Sequence, residues 1–121
     1  MTQAIEFLIL SGLPASGKTH VALKWKAEDP DGRIRVNYDD LRGDEPFSWK
    51  NEYKVKARAV TIARKALTAG LSVVVDNTNL TVRARQRWIN LATEYGLIPT
   101  LQEIDTPITE CITRDLKRVG R

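Results

Sequence analysis

A short apolar run, Phe7-Leu-Ile-Leu, feeds directly into Gly12-Leu-Pro-Ala-Ser-Gly-Lys-Thr19, and this junction limits the possible folds more than any other stretch of the chain. The pattern is Gly-x-x-x-x-Gly-Lys-Thr, whose glycines let the backbone wrap an anion. Successive N–H groups and the start of the next helix then point at phosphate oxygens. The pattern carries weight only between a strand and a helix, and here 4–10 reads as a buried strand and 18–28 as a helix. The expected ligand is a nucleoside triphosphate, with Gly12, Pro14, Ala15, Ser16, Gly17, Lys18 and Thr19 as its contacts. In that arrangement Lys18 reaches the β and γ oxygens and Thr19 offers its hydroxyl to Mg²⁺.

Strand-like and helix-like segments alternate along the rest of the chain, which predicts an α/β fold of the P-loop kind, with a parallel sheet of about four strands flanked by helices. Further strands are expected over 34–37, short and central, over 71–76, with Val73, Val74 and Val75 buried on both faces, and over 98–104. A helix over 49–69 puts Val55, Ala59, Ile62, Ala63, Ala66 and Leu67 on one side, leaves the other basic, and stops at Gly70. Another over 82–95 starts behind a Thr81 cap and ends at Gly96, with Arg83, Arg85 and Arg87 mostly off the core. The last helix takes Thr106 as cap and Pro107 as first residue, and sets Arg114, Arg118 and Arg121 along one stripe.

With 121 residues and 42% hydrophobic content, a single domain with a core of its own is expected, and the basic helix end suggests truncation at or just after a lid helix. The apolar runs are strand-length and no charged-then-apolar leader precedes them, so the expectation is an intracellular, cytoplasmic protein without a membrane partner. Cys111, the lone cysteine, cannot form an internal disulfide and reads as a small core residue. The 19 Lys and Arg against 15 Asp and Glu give a net charge of +4, which favours anionic partners. The cations crowd into 54–65, 83–87 and 114–121, more than one triphosphate requires, although solvated helix faces also explain them.

In open parallel sheets ligands sit beyond the carboxyl ends of the strands. The phosphate loop, Asn37-Tyr-Asp-Asp-Leu-Arg42 and Asp76-Asn-Thr-Asn79 all follow strands, so they should converge on one edge. Asp39 or Asp40 can accept the proton of an attacking hydroxyl, or merely cap a helix starting near Leu41. Arg42 can hold an acceptor phosphate through a bidentate contact. Asp76 can support Mg²⁺ through water, or simply form a turn with Asn77. The Arg114, Arg118, Arg121 stripe can close over the triphosphate, or be a solvated face. Trp49 and Tyr53, one turn apart, can stack a nucleobase, or be core or interface aromatics. His20 carries no assigned role.

Four elements in order, Gly12-Leu-Pro-Ala-Ser-Gly-Lys-Thr19, Val36-Asn-Tyr-Asp-Asp-Leu-Arg42, Val73-Val-Val-Asp-Asn-Thr-Asn-Leu80 and Cys111-Ile-Thr-Arg-Asp-Leu-Lys-Arg118, resemble the phage-type polynucleotide 5′-hydroxyl kinases. The resemblance implies transfer of the ATP γ-phosphate, with Mg²⁺, to 5′ ends of DNA or RNA. It makes Lys18 and Thr19 the ATP and metal contacts, Asp39 the general base and Arg42 the contact to the acceptor's 3′-phosphate. Arg118 becomes the transition-state arginine with Arg114 beside it, and the preference for ATP rests on the resemblance alone. One departure is Asn77, where some relatives carry aspartate before Thr-Asn-Leu. A small-molecule kinase acting on a sugar, nucleoside or antibiotic hydroxyl, or an ATP-binding module lacking full catalytic equipment, are the competing readings.

Overall fold

A computed structural model describes residues 4–13 and 16–104. The readings placed on Pro14, Ala15, Cys111, Arg114, Arg118 and Arg121, and on the last helix as a whole, lie outside the described residues. The element order is β1 (Phe7–Ser11), α1 (Lys18–Glu28), β2 (Arg33–Val36), α2 (Tyr38–Arg42), α3 (Trp49–Thr68), β3 (Ser72–Asp76), α4 (Val82–Glu94) and β4 (Thr100–Glu103). The four strands form one parallel sheet in the order β2-β3-β1-β4, with Leu8 beside Val74 and Thr100, and Ile34 beside Val73. The expectation that β2 is central is corrected, because β3 returns between β1 and β2 and leaves β2 at an edge.

The strand residues alternate between two unequal layers. Phe7, Ile9, Val36, Val73 and Val75 pack with Ala59, Ala63, Ala66 and Leu67 of α3 and with Trp88, Leu91 and Ala92 of α4. Small alanines let α3 lie close to the sheet, and the indole of Trp88 fills the space between Phe7 and Tyr38, with ring centroids 6.4 and 6.5 Å away. The opposite layer is thinner among the described residues: Leu8, Leu10 and Val74 meet Ala22, with Val21 and Trp25 alongside. The rest of that face is polar, and Arg33 stacks on the Trp25 ring at 4.5 Å.

Helix ends follow the chemistry of their residues. The Ser48 and Thr81 side chains accept from the N–H groups of Asn51 and Ala84 and so cap α3 and α4. Gly70 and Gly96, both at positive φ, stand just past their carboxyl ends. The fourth strand is shorter than expected, beginning at Thr100; Ile98, 94% exposed, stays outside it. Among the described residues no helix is long and apolar enough to cross a membrane.

Candidate active site

The phosphate loop begins where β1 ends. Gly17 precedes α1 at φ 105°, a left-handed conformation that a side chain would strain, so the second motif glycine is demanded by the backbone. A Cβ on Gly12 would come within 2.7 Å of the Ser16 hydroxyl and 3.3 Å of the Ile104 carbonyl, so the first is favoured by close approach. Lys18 is buried and its ammonium donates to the Leu13 carbonyl at 3.0 Å, which folds it back over the loop. Thr19 is exposed on the first turn of α1.

The loop after β3 is stitched to this one. The Gly12 N–H donates to the Thr78 carbonyl at 3.0 Å, the Ser11 hydroxyl to the Asn79 carbonyl at 3.1 Å, and Asn79 Nδ2 to the Leu10 carbonyl at 2.7 Å. Asn79 sits at φ 46°, a conformation Asn tolerates better than most residues. Arg85, half-buried rather than solvated, adds Nη1 bonds to the Asn79 and Leu80 carbonyls. The loop after β2 is tied in turn: Asn37 Nδ2 donates to the Asp76 carbonyl at 2.6 Å and the Tyr38 N–H to Asn77 Oδ1 at 2.8 Å. The three loops thus meet at the carboxyl edge of the sheet, held by backbone groups and short amide side chains.

Asn37 also settles how α2 starts. Its side chain accepts from the Asp40 N–H at 2.9 Å, so the helix begins at Tyr38 and the alternative that Asp39 or Asp40 caps a helix starting near Leu41 is corrected. The two carboxylates take arginines instead. Asp40 pairs with Arg35, while Asp39, with its side chain 80% exposed, pairs with Arg42 Nη1 at 2.6 Å. Arg42 is gripped on its other edge by Glu52 of α3, with Nη2 2.9 Å from Oε2 and Nε on Oε1. The Arg42 guanidinium holds the Glu52 carboxyl below its ordinary value, and Glu52, with Asp39, raises Arg42 further above its own.

Asp76 ends β3, 1% exposed, and is neither a turn residue nor open to solvent. Its Oδ2 accepts from Arg35 Nε at 2.8 Å and pairs with Nη2 at 2.7 Å, while Oδ1 is buried without a partner among the described residues. Sequence reasoning missed Glu52 and Arg35. Nothing in their spacing signals them, since Glu52 lies ten residues beyond Arg42 across a loop and Arg35 lies 41 residues before Asp76. Trp49 and Tyr53, 82% and 77% exposed, are not core aromatics, which corrects that alternative. Burial pushes the Tyr38 phenol up, with the neighbouring Arg87 charge opposing.

Residues 7–121 match the AAA domain family. A bifunctional polynucleotide phosphatase/kinase of Schizosaccharomyces pombe is 36% identical over 92 residues, which is 76% of this chain and 19% of that protein. A chain of the Pnkp1/Rnl/Hen1 RNA repair complex is 28% identical and superposes with a TM-score of 0.83, over 99% of this chain and 39% of its own length. The Mycobacterium tuberculosis APS kinase CysC, in complex with AMPPNP and APS, is 23% identical with a TM-score of 0.73, over 93% of this chain and 69% of that one, a likeness of fold alone. The chain spans about a fifth of the length of the curated relatives it matches. With a phosphate loop closing β1, a parallel sheet behind it and a family match over almost every residue, the fold is the nucleotide-binding one of the P-loop kinases, and the chain belongs to the AAA domain family.

Proposed function

We propose that this chain is an ATP-dependent polynucleotide 5′-hydroxyl kinase domain, acting on the 5′ ends of DNA or RNA. The observation that carries the reading is that the loop after β1 and the start of α2, which bears the Asp39–Arg42 pair, are both tied to the loop after β3 at one sheet edge, which supports a triphosphate site near a carboxylate and a guanidinium. A γ-phosphate held by Lys18 and the N–H groups at the start of α1 then lies toward a hydroxyl whose proton Asp39 accepts. Arg42, oriented by Glu52, keeps two of its five donors for an acceptor phosphate. The relatives named polynucleotide phosphatase/kinase support a polynucleotide acceptor over a small molecule. An intracellular location fits that chemistry.

The residues present suit Mg²⁺. Among the described residues no three carboxylate, histidine or cysteine groups cluster as a protein cage, and this ion usually takes few protein ligands and several from water and phosphate. Thr19 is open to provide a hydroxyl, and the unpartnered Oδ1 of Asp76 is an acceptor for metal-bound water. When bound, the ion neutralises charge on the β and γ oxygens. The Arg114 and Arg118 side chains are proposed to stabilise the transferring group.

The direct test is transfer of label from γ-labelled ATP·Mg to a 5′-hydroxyl oligonucleotide, beside the same strand already 5′-phosphorylated. Labelling confined to the hydroxyl form is expected. ATP binding with no labelling of either strand would overturn the reading.

A further inference from the structure

Between α3 and α4, at the same edge of the sheet, lies a cleft of about 500 Å³ that the proposed chemistry has not used. Lys56 comes to it from α3, Arg83 and Arg87 from α4, Tyr38 from the first residue of α2 and Asn77 from the loop after β3. No carboxylate lines it, and among the described residues none of the three cations is in an ion pair. Asn77 adds an independent sign. It is 8% exposed, its Oδ1 is taken by the Tyr38 N–H, and its Nδ2 is buried with no partner among the described residues. A buried donor without an acceptor is destabilising, and an anion's oxygen in the cleft can supply that acceptor.

We infer that this cleft is a phosphodiester subsite, holding backbone phosphates of the acceptor strand beyond its first nucleotide; the inference rests on the polynucleotide reading above. Tyr38, which lines it, immediately precedes Asp39, so a strand with its 5′ hydroxyl at Asp39 has the cleft as a neighbouring cationic surface. Arg42 cannot hold a longer strand alone, because Glu52 and Asp39 already occupy three of its donors. Separate cations at fixed positions suit a ligand whose charges repeat along a chain rather than one small anion. Asn77 is a neutral donor, and it admits a phosphate that a carboxylate at this place would repel.

The test is fluorescence anisotropy of a labelled 5′-hydroxyl decanucleotide with the full chain, across a salt series, for wild type, the Lys56→Ala/Arg83→Ala pair, Arg83→Lys, and Lys24→Ala, an exposed cation of α1 outside the cleft, as a control. The pair is expected to bind about tenfold more weakly, with a salt slope flatter by about 1.4, from roughly 0.7 per lost phosphate contact on a single strand. Arg83→Lys should retain most of the affinity and Lys24→Ala all of it. Equal weakening by Lys24→Ala, or none in the pair, overturns the subsite. Turnover is read separately on the wild type. Strand phosphorylation with unaltered binding in the pair sinks the subsite and keeps the kinase, whereas selective loss of binding without any turnover keeps the subsite and sinks the kinase.

Discussion

The proposed triphosphate side and the proposed acceptor side of the site are built by different means. On the first, the main chain is the instrument: Gly17 in a left-handed turn, the Gly12 N–H on the Thr78 carbonyl, and Asn79 bridging to Leu10, with buried strands behind them. On the second, charged side chains do the placing, with Arg42 stretched between Asp39 and Glu52, and Arg35 between Asp40 and Asp76. Backbone geometry is shared by every substitution that keeps the fold, whereas a side-chain network can be cut one member at a time. The first side is therefore expected to fail as a unit and the second by degrees.

The largest expected effect is on the triphosphate side: Lys18→Ala should lower phosphoryl transfer about 10³-fold, by removing a charge aimed at the moving group. Single-turnover kinetics at saturating ATP check it. A loss under tenfold would erase the contrast between the two sides. Next comes Arg35→Ala, which strands the buried Asp76 carboxylate and should cost about 3 kcal/mol in a urea titration. If stability is unchanged, the Arg35 bridge is not what holds β2 to β3 at this edge.

Asp39→Asn should then reduce transfer about 10²-fold while ATP binding, measured by calorimetry, stays intact. A fall in ATP affinity instead would mean the two sides are not separable. The smallest effect expected is from Glu52→Gln, which loosens one edge of Arg42 and should raise the acceptor KM about tenfold with little change in that for ATP.

Glu52 also carries a pH signature. Its carboxyl is held below the ordinary value of 4.5, so its stabilising contribution is present above that value and is lost as pH falls through the lower folded value. The difference in urea midpoint between wild type and Glu52→Gln should accordingly shrink as pH falls below 4.5 and vanish once it is below the folded value, and a difference that persists in strong acid would assign the contact to packing rather than charge.

Much of the frame was legible beforehand because local rules wrote it. Lys18–Glu28 matches the expected helix end to end, Ser72–Asp76 falls within the expected third strand, and Thr81 caps α4 as its position suggested. β2 was misjudged because a run of four residues says nothing about its neighbours, and only the return of β3 between β1 and β2 assigns the edge. The start of α2 was misjudged because Asn37 and Asp39 are both good caps, and the choice depends on an Asn37 side chain that also reaches the Asp76 carbonyl. Trp49 and Tyr53 share helical spacing with a core stripe, yet the helix rotation that buries Val55 and Ala59 leaves both in solvent.

By itself the sequence determined the phosphate loop, the strand before it, the helix after it and the gathering of three loops at one edge, since each follows from what glycine, small polar caps and apolar periodicity permit over a few residues. Tertiary structure alone decided the partners. The pairing of Arg42 with Glu52, the bridge from Arg35 to Asp76 and the cleft shared by Lys56, Arg83 and Arg87 all join residues whose separation along the chain encodes no distance. Long charged side chains are free to choose among several partners, and only the packed sheet and helices decide which come within reach.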